Sequence, residues 1–385
     1  MNSIRSSTIY SAVPADWKVV PLRKLLRRVK KPVEVEANQL YREIGILSHG
    51  KGIFHKEERT GTSLGNKSVF WVEPDCFVVN IVFAWEQAIA RTTSFEKGMI
   101  ASHRFPMYKP KEGTLDLDFL VSFFNTLQGK HLLGLASPGG AGRNKTLGQQ
   151  AFLDLSIPLP PFPEQCKITD ILNTVNQAIA LTEQRIEAAH QRKKGLMQRL
   201  LTGRVRFPEF EGKTWRKMKL QDLINIHYGK SPKGIQKVNG AFPVFGTGGI
   251  VGSTDQALCK QAAVIIGRKG TIDQPQLAEG PFWAIDTTFY GVPKANVDLP
   301  WVYYALSNTN LERYNEASGV PSLSRNTLYG IKLLVPEIEE QHRIAAILQA
   351  CDGEIDLLIQ KRDALQRQKK GLMQRLLTGR VRVSV

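Results

Sequence analysis

The sequence predicts a mixed α/β protein in which two unlike α/β blocks alternate with two long helices. The helices pair as an antiparallel coiled coil and give the chain a pseudo-two-fold plan. Three observations predict this. Residues 193–206 read KKGLMQRLLTGRVR, and residues 369–382 repeat every letter at an offset of 176. Ahead of and into each copy, apolar residues recur at alternating steps of four and three, the seam of a coiled coil. The remaining stretches hold short runs rich in aromatic and β-branched residues, broken by Gly and Pro, as strands and turns are.

The repeat reaches further than the identical words. At the same offset Pro160, Gln165, Ile168 and Leu172 fall on Pro336, Gln341, Ile344 and Leu348, so the repeated units cover 157–206 and 333–382 without a gap. A weaker echo at another offset sets Trp17, Leu22 and Leu25 on Trp215, Leu220 and Leu223. The chain therefore divides into a first block (1–156), a central helical repeat (157–206), a second block (207–332) and a distal helical repeat (333–385). The order of parts is nearly circular.

In the central repeat the seam is Ile168, Leu172, Val175, Ile179, Thr182, Ile186, Ala189, Lys193, Leu196 and Leu200. In the distal repeat it is Ile344, Leu348, Cys351, Ile355, Leu358, Arg362, Leu365, Lys369, Leu372 and Leu376. Each helix starts after a proline-containing stretch and ends at LLTG, where Gly203 or Gly379 is expected in the left-handed conformation of a helix C-cap. Arg199 and Arg375 in the last turns suit the helix dipole. A helix over 164–201 is roughly 57 Å long at 1.5 Å per residue. It cannot bury its seam alone, and the nearest partner is the other copy. A lysine at one seam position of both copies, Lys193 and Lys369, weakens packing locally; such residues fix register or extend outward to water.

Within the blocks, residues 68–85 and 262–273 read as strands and turns, and 242–253 as strand, glycine-rich loop and strand. Residues 115–127 and 299–314 read as amphipathic helices at comparable places in the two blocks.

The formal charge of +17 points to a polyanionic partner, nucleic acid first and an anionic membrane or acidic protein next. The excess is spread along the chain, which excludes a single basic tail. No run of apolar residues is long enough to span a bilayer, and the opening residues carry no apolar stretch of signal-peptide length. Cys76, Cys166, Cys259 and Cys351 are widely spaced, without a CxxC pair, which argues against a disulfide framework or zinc site and fits a reducing cytosol.

Motifs for chemistry are missing. Gly246, Gly248 and Gly252 do not fit GxGxxG spacing, and Gly229-Lys230-Ser231 lacks the upstream glycine of a P-loop. His49 and His103 have no second ligand at metal-binding spacing. There is no nucleophile elbow, no kinase signature and no Asn/Asp-Pro-Pro-aromatic motif of amino-methyltransferases, so the chain reads as non-catalytic and metal-free.

Loops that mix Lys or Arg with Ser, Thr, Asn and Gly are the better functional candidates. In the first block they occupy residues 49–59, 90–94, 102–104 and 142–145, and in the second 228–234, 246–249, 267–271 and 322–326. Arg and Lys can pair with guanine edges and Asn with adenine, while hydroxyls and backbone N–H groups hold phosphates. The candidate DNA-binding residues are Lys51, Arg91, His103, Arg104 and Lys145 in the first block. In the second they are Lys230, Lys233, Arg268, Lys269, Thr271 and Arg325.

Two unlike blocks, each followed by EQxxIxxIL and then KKGLMQRLLTGRVR, resemble the specificity subunit of type I restriction-modification enzymes, over nearly the whole chain. PVFGTGGIVGS, GRKGT and FWAIDTTFYG in the second block resemble one common kind of target-recognition domain; GKGIF and VNIVFAWEQA in the first resemble another. The resemblance implies two target-recognition domains, each reading half of a bipartite, asymmetric site in double-stranded DNA. It implies that the helices act as a spacer and dock two modification (methyltransferase) subunits. S-adenosylmethionine is then expected on those subunits, and ATP and Mg on a restriction (motor and nuclease) subunit where one joins. None is expected on this chain, and the setting implied is the prokaryotic cytoplasm, away from membranes. Two rival readings stand beside this one. One is a coiled-coil scaffold whose basic surface binds nucleic acid non-specifically or an acidic protein. The other is a self-sufficient methyltransferase or nuclease, against which the missing motif argues.

Overall fold

The computed structural model describes residues 13–65, 67–139 and 145–384. The chain forms two compact units, Met1–Leu181 with Arg362–Val385, and Thr182–Lys361. This division departs from four consecutive segments, because each long helix (Phe162–Leu200 and Ile338–Leu376) gives its first part to one unit and its last part to the other. The physical reason lies in the cores. Ile168 and Leu172 from the start of one helix are buried with Leu376 and Leu377 from the end of the other. In the second unit Ile344 and Leu348 are buried with Leu200 and Leu201. Each core is thus completed by two helical segments, and every seam position is buried or half-buried, as the steps of four and three require.

In the first unit, strand Lys18–Pro21 pairs antiparallel with Ser156–Leu159, the strand just before the prolines. One four-stranded sheet runs in the order Leu26–Val29, Met107–Pro110, Phe77–Val79, Ile89–Arg91. The other runs Ile53–Thr60, Leu40–Ile46, Ile100–Ser102, Val69–Trp71. Helix Leu117–Phe124 covers a core in which Phe77, Tyr108, Phe119, Phe123, Phe124 and Phe152 lose all contact with water.

The second unit repeats the plan. Strand Arg216–Lys219 pairs antiparallel with Lys332–Val335. A four-stranded sheet runs Ile224–Tyr228, Thr288–Pro293, Ala263–Gly267, Gln276–Ala278, and a three-stranded one Gly249–Thr254, Phe242–Gly246, Trp283–Ala284. Ala263–Gly267 is buried throughout, which explains its unbroken apolar run. Helix Leu299–Ser307 occupies the place of Leu117–Phe124; Asp298 caps one and Asp116 the other through backbone N–H bonds of 2.9 and 2.7 Å.

The repeated words have a structural use. Glu164 and Gln165, and their copies Glu340 and Gln341, are buried. Gln165 accepts the Asp116 N–H at 2.8 Å and Gln341 the Asp298 N–H at 2.9 Å, tying each domain helix to its long helix. Glu340 accepts Nε and Nη2 of Arg206 at 2.8 and 2.7 Å and Nε1 of Trp215 at 2.9 Å. Glu164 accepts Nε and Nη2 of Arg382 at 2.7 and 2.8 Å and Nε1 of Trp17 at 3.1 Å. The last arginine of each identical motif therefore latches onto the glutamate of the Glu-Gln pair in the opposite repeat. Gly203 and Gly379 take φ of 70° and 72°, the left-handed caps that bring the chain to these latches.

The two seam lysines differ. Lys193 forms an ion pair with Asp352 and lies 5.1 Å from the Tyr304 ring centroid. Tyr304 in turn donates to Asp352 at 2.6 Å; burial, then this bond, raise the phenol pKa and keep it a donor. Lys369 is half-buried with no ion pair among the described residues, and desolvation lowers its pKa.

Candidate nucleic-acid interface

In the second unit two loops, 267–271 and 322–326, bring an arginine each to one aromatic ring, that of Tyr228. Tyr228 ends its strand 46 % exposed, with Phe289 edge-on behind it at 5.0 Å. The guanidinium of Arg268 lies 5.5 Å from its centroid and that of Arg325 5.2 Å. Cation–π attraction holds two long, flexible side chains in place without neutralising either.

Backbone bonds assemble the loops. Gly229 and Lys230 donate to the Thr288 and Ala284 carbonyls at 3.0 and 2.9 Å. Gly229 must lack a side chain, since a Cβ there would meet the Ile285 carbonyl oxygen at 2.0 Å. Arg268 and Lys269 donate to the Thr287 carbonyl at 2.9 and 3.2 Å, and Gly270 to that of Pro321 at 2.9 Å. Leu323 returns a bond of 2.9 Å to the Arg268 carbonyl, which draws the segment carrying Arg325 alongside. The Gln276 side-chain amide donates to the Gly246 carbonyl at 2.9 Å and fixes the hairpin tip.

Of the candidates here, Lys230, Lys233 and Lys269 are exposed, and Arg268, Thr271 and Arg325 half-buried. None of the five cations has a carboxylate partner among the described residues. Arg268 donates from Nη1 to the Asp286 carbonyl at 3.1 Å, which aims the group and leaves its charge uncompensated.

In the first unit the segment 81–87 links the basic loops. The hairpin tip carrying Lys51 is tied to it by bonds from His49 and Gly50 to the Glu86 and Gln87 carbonyls, at 2.7 and 3.0 Å. Ile81 donates to the Arg104 carbonyl at 3.0 Å and accepts from Leu147 at 2.8 Å. Lys145 lies 5.4 Å from the Trp85 ring centroid. Lys51, His103 and Arg104 are exposed, and none is in an ion pair among the described residues. Gly142, Arg143 and Asn144 of the loop before Lys145 lie outside the described residues.

Arg91 is placed differently. It donates to Asp118 at 2.6 Å and to Asp75 at 2.8 Å, and its Nε is buried without a partner. Burial works against its charge, but the bonds to Asp75 and then Asp118 prevail and raise its pKa. That arginine joins helix Leu117–Phe124 to its sheet and does not stand ready for a phosphate.

Two residues outside the sequence-derived set complete the surfaces, Tyr228 and Trp85. Tyr228 opens the basic, glycine-bearing stretch 228–234, whereas Trp85 has neither a glycine nor a basic residue beside it in the sequence.

The chain matches the family described as Type I restriction modification DNA specificity domain over residues 75–191 and 212–367. It is 24 % identical to the Type I restriction enzyme MjaVIII specificity subunit of Methanocaldococcus jannaschii, covering 96 % of this chain and 94 % of that protein. Over 29 % of this chain it is 32 % identical to the Type I restriction enzyme EcoprrI specificity subunit of Escherichia coli, covering 28 % of that protein. Among solved structures, the type-I restriction-modification S subunit of M. genitalium aligns with a TM-score of 0.63 at 17 % identity, over 94 % of this chain and 96 % of that one. The HsdS subunit of Thermoanaerobacter tengcongensis aligns with a TM-score of 0.53 at 18 % identity, over 96 % and 98 %. At such identities these structures establish the fold.

Proposed function

Because the chain belongs to the type I restriction modification DNA specificity family, we propose that its two α/β domains each read one half of a bipartite, asymmetric DNA sequence. The chain is a non-catalytic component in this scheme. The two long helices set the gap between half-sites, and two modification subunits dock on the repeated segments and bring S-adenosylmethionine to adenine. A restriction subunit, where present, adds ATP- and Mg-dependent translocation and cleavage.

The observation that carries this reading is the set of uncompensated cations around Tyr228. Arg268 and Arg325 are planar donors held by stacking, suited to the paired acceptors of a guanine edge. Lys230, Lys233 and Lys269 are mobile point charges suited to phosphates, with the Thr271 hydroxyl among them. In the first domain Lys51, His103, Arg104 and Lys145 take the corresponding part.

The test is an exchange of residues 26–156 for the equivalent block of another specificity subunit, in cells that hold the modification subunit. Mapping methylated adenines should show one half-site replaced and the other intact. A change in both halves, or in neither, would sink the modular reading. Removing one heptad from each long helix should shorten the unread gap and leave both half-sites as they were.

A further inference from the structure

The two seam lysines point to a binding site in the first unit. A cleft of about 520 Å³ opens beside Lys369, between the end of the distal helix and the turn before helix Leu127–Leu135. Lys130, Lys369, Lys370 and Arg380 line it together with Leu127 and Met373, and no acidic residue does. None of the four cations is in an ion pair among the described residues. Leu127 is 85 % exposed, unusual for a leucine at the mouth of a cleft.

The second unit shows what this position holds when it is filled. There Lys193 has the Asp352 carboxylate on its ammonium and the flat Tyr304 ring beside it. At the repeat offset, Asp352 corresponds to Asn176. Counted from the capping residues Asp298 and Asp116, Tyr304 corresponds to Ser122. The first unit has neither the anion nor the ring, and its lysine is left desolvated without a counter-charge, a costly arrangement.

We propose that this cleft receives a segment of the modification subunit bearing a carboxylate beside an apolar side chain, which supplies to Lys369 the anion that Asp352 supplies to Lys193. The proposal rests on the reading of the chain as a subunit of a methyltransferase complex. The carboxylate meets Lys369 with Lys130, Lys370 and Arg380 around it. The apolar side chain covers Leu127 and Met373. Duplex DNA fits this cleft less well, because its backbone presents hydrated phosphates and no large apolar side group to cover Leu127.

The experiment titrates the full chain with the modification subunit that methylates together with it in cells, and separately with a duplex carrying the methylated site. Two variants are compared with the wild type. Lys369→Gln removes the charge, and Asn176→Asp places a carboxylate at the position equivalent to Asp352. Both should weaken binding of the modification subunit by about tenfold or more, as loss of an interfacial charge pair does, and leave duplex affinity of the chain within about twofold. Asn176→Asp should also raise the melting temperature of the free chain, which distinguishes filling of the site from damage to it. Wild-type binding that both variants retain overturns this inference alone. Equal weakening toward the duplex by Lys369→Gln assigns the cleft to phosphate and overturns it too. A wild-type chain that binds no modification subunit overturns the assembly reading, and this inference with it.

Discussion

Arg206 and Arg268 both lie 5.5 Å from the centroid of an aromatic ring, Trp215 for one and Tyr228 for the other. Their surroundings differ in one respect. Arg206 meets Glu340, a carboxylate only 2 % exposed, through two hydrogen bonds, and its charge is cancelled inside the protein. Arg268 meets a backbone carbonyl, which orients it and cancels nothing. Stacking therefore says only that an arginine is positioned. The presence or absence of a counter-ion says whether it holds the fold together or remains available to a polyanion. Arg382 follows Arg206, with Glu164 and Asp16 both on its guanidinium; hydrogen bonds to Arg382 lower the Asp16 pKa. Arg325, 5.2 Å from the same Tyr228 ring centroid, likewise has no carboxylate partner among the described residues.

The largest effect should come from breaking a latch. Glu340→Ala leaves Arg206 and the Trp215 N–H without their acceptor, and removal of one member of a buried pair costs about 3–5 kcal/mol. Urea unfolding should show the transition of the second unit shifted by that amount. A change below about 1 kcal/mol, the scale of an exposed pair, would mean that water takes over the role of Glu340 and that paired and unpaired arginines do not differ in kind.

Next in size is the loss of an arginine proposed to read a base. Arg268→Ala should leave the melting curve nearly unchanged, because no buried partner is orphaned. It should cost roughly 1–3 kcal/mol toward the methylated sequence and relax one base position. Lys230→Ala should weaken all sequences alike and lower the salt slope by about one. Tyr228→Leu should reproduce part of the Arg268→Ala loss and Tyr228→Phe much less, since the stack needs the ring. Binding measured on a panel of single-base variants at two salt concentrations separates these outcomes. Uniform weakening by Arg268→Ala would move that residue from base reading to phosphate contact.

The repeat made the architecture legible. Identical words at one offset, the seam steps and the LLTG caps predict two helices with left-handed glycines at their ends, and Gly203 and Gly379 have them. The partners of the repeated residues were not legible. Arg206 meets Glu340 and Arg382 meets Glu164 across more than a hundred residues, and no local periodicity reports a contact at that distance. For the same reason the compact units cut both helices in the middle, where a linear reading places boundaries at their ends. The loops of the second block could be listed from their composition. The convergence of two of them on Tyr228 arises from strand pairing and carbonyl acceptors such as those of Thr287 and Pro321, which any side chain can carry.

Arg91 gives the smallest expected effect and the sharpest check on the comparison. Its composition alone, a cation among Thr and Ser in a loop-like stretch, matches that of Lys51 or Arg104. Its environment matches that of Arg206, with Asp75 and Asp118 as counter-ions, although both pairs are partly open to water. Arg91→Gln should therefore lower stability by about 0.5–1 kcal/mol, the worth of partly exposed ion pairs. It should leave duplex affinity unchanged. Lys51→Gln should do the reverse, with an unaltered melting curve and weaker binding to every sequence. The pair of variants needs only thermal melts and one duplex titration each. If Arg91→Gln weakened DNA binding as much as Lys51→Gln, a counter-ion in the free protein would no longer mark an arginine as structural, and the latches would have to be retested as DNA contacts.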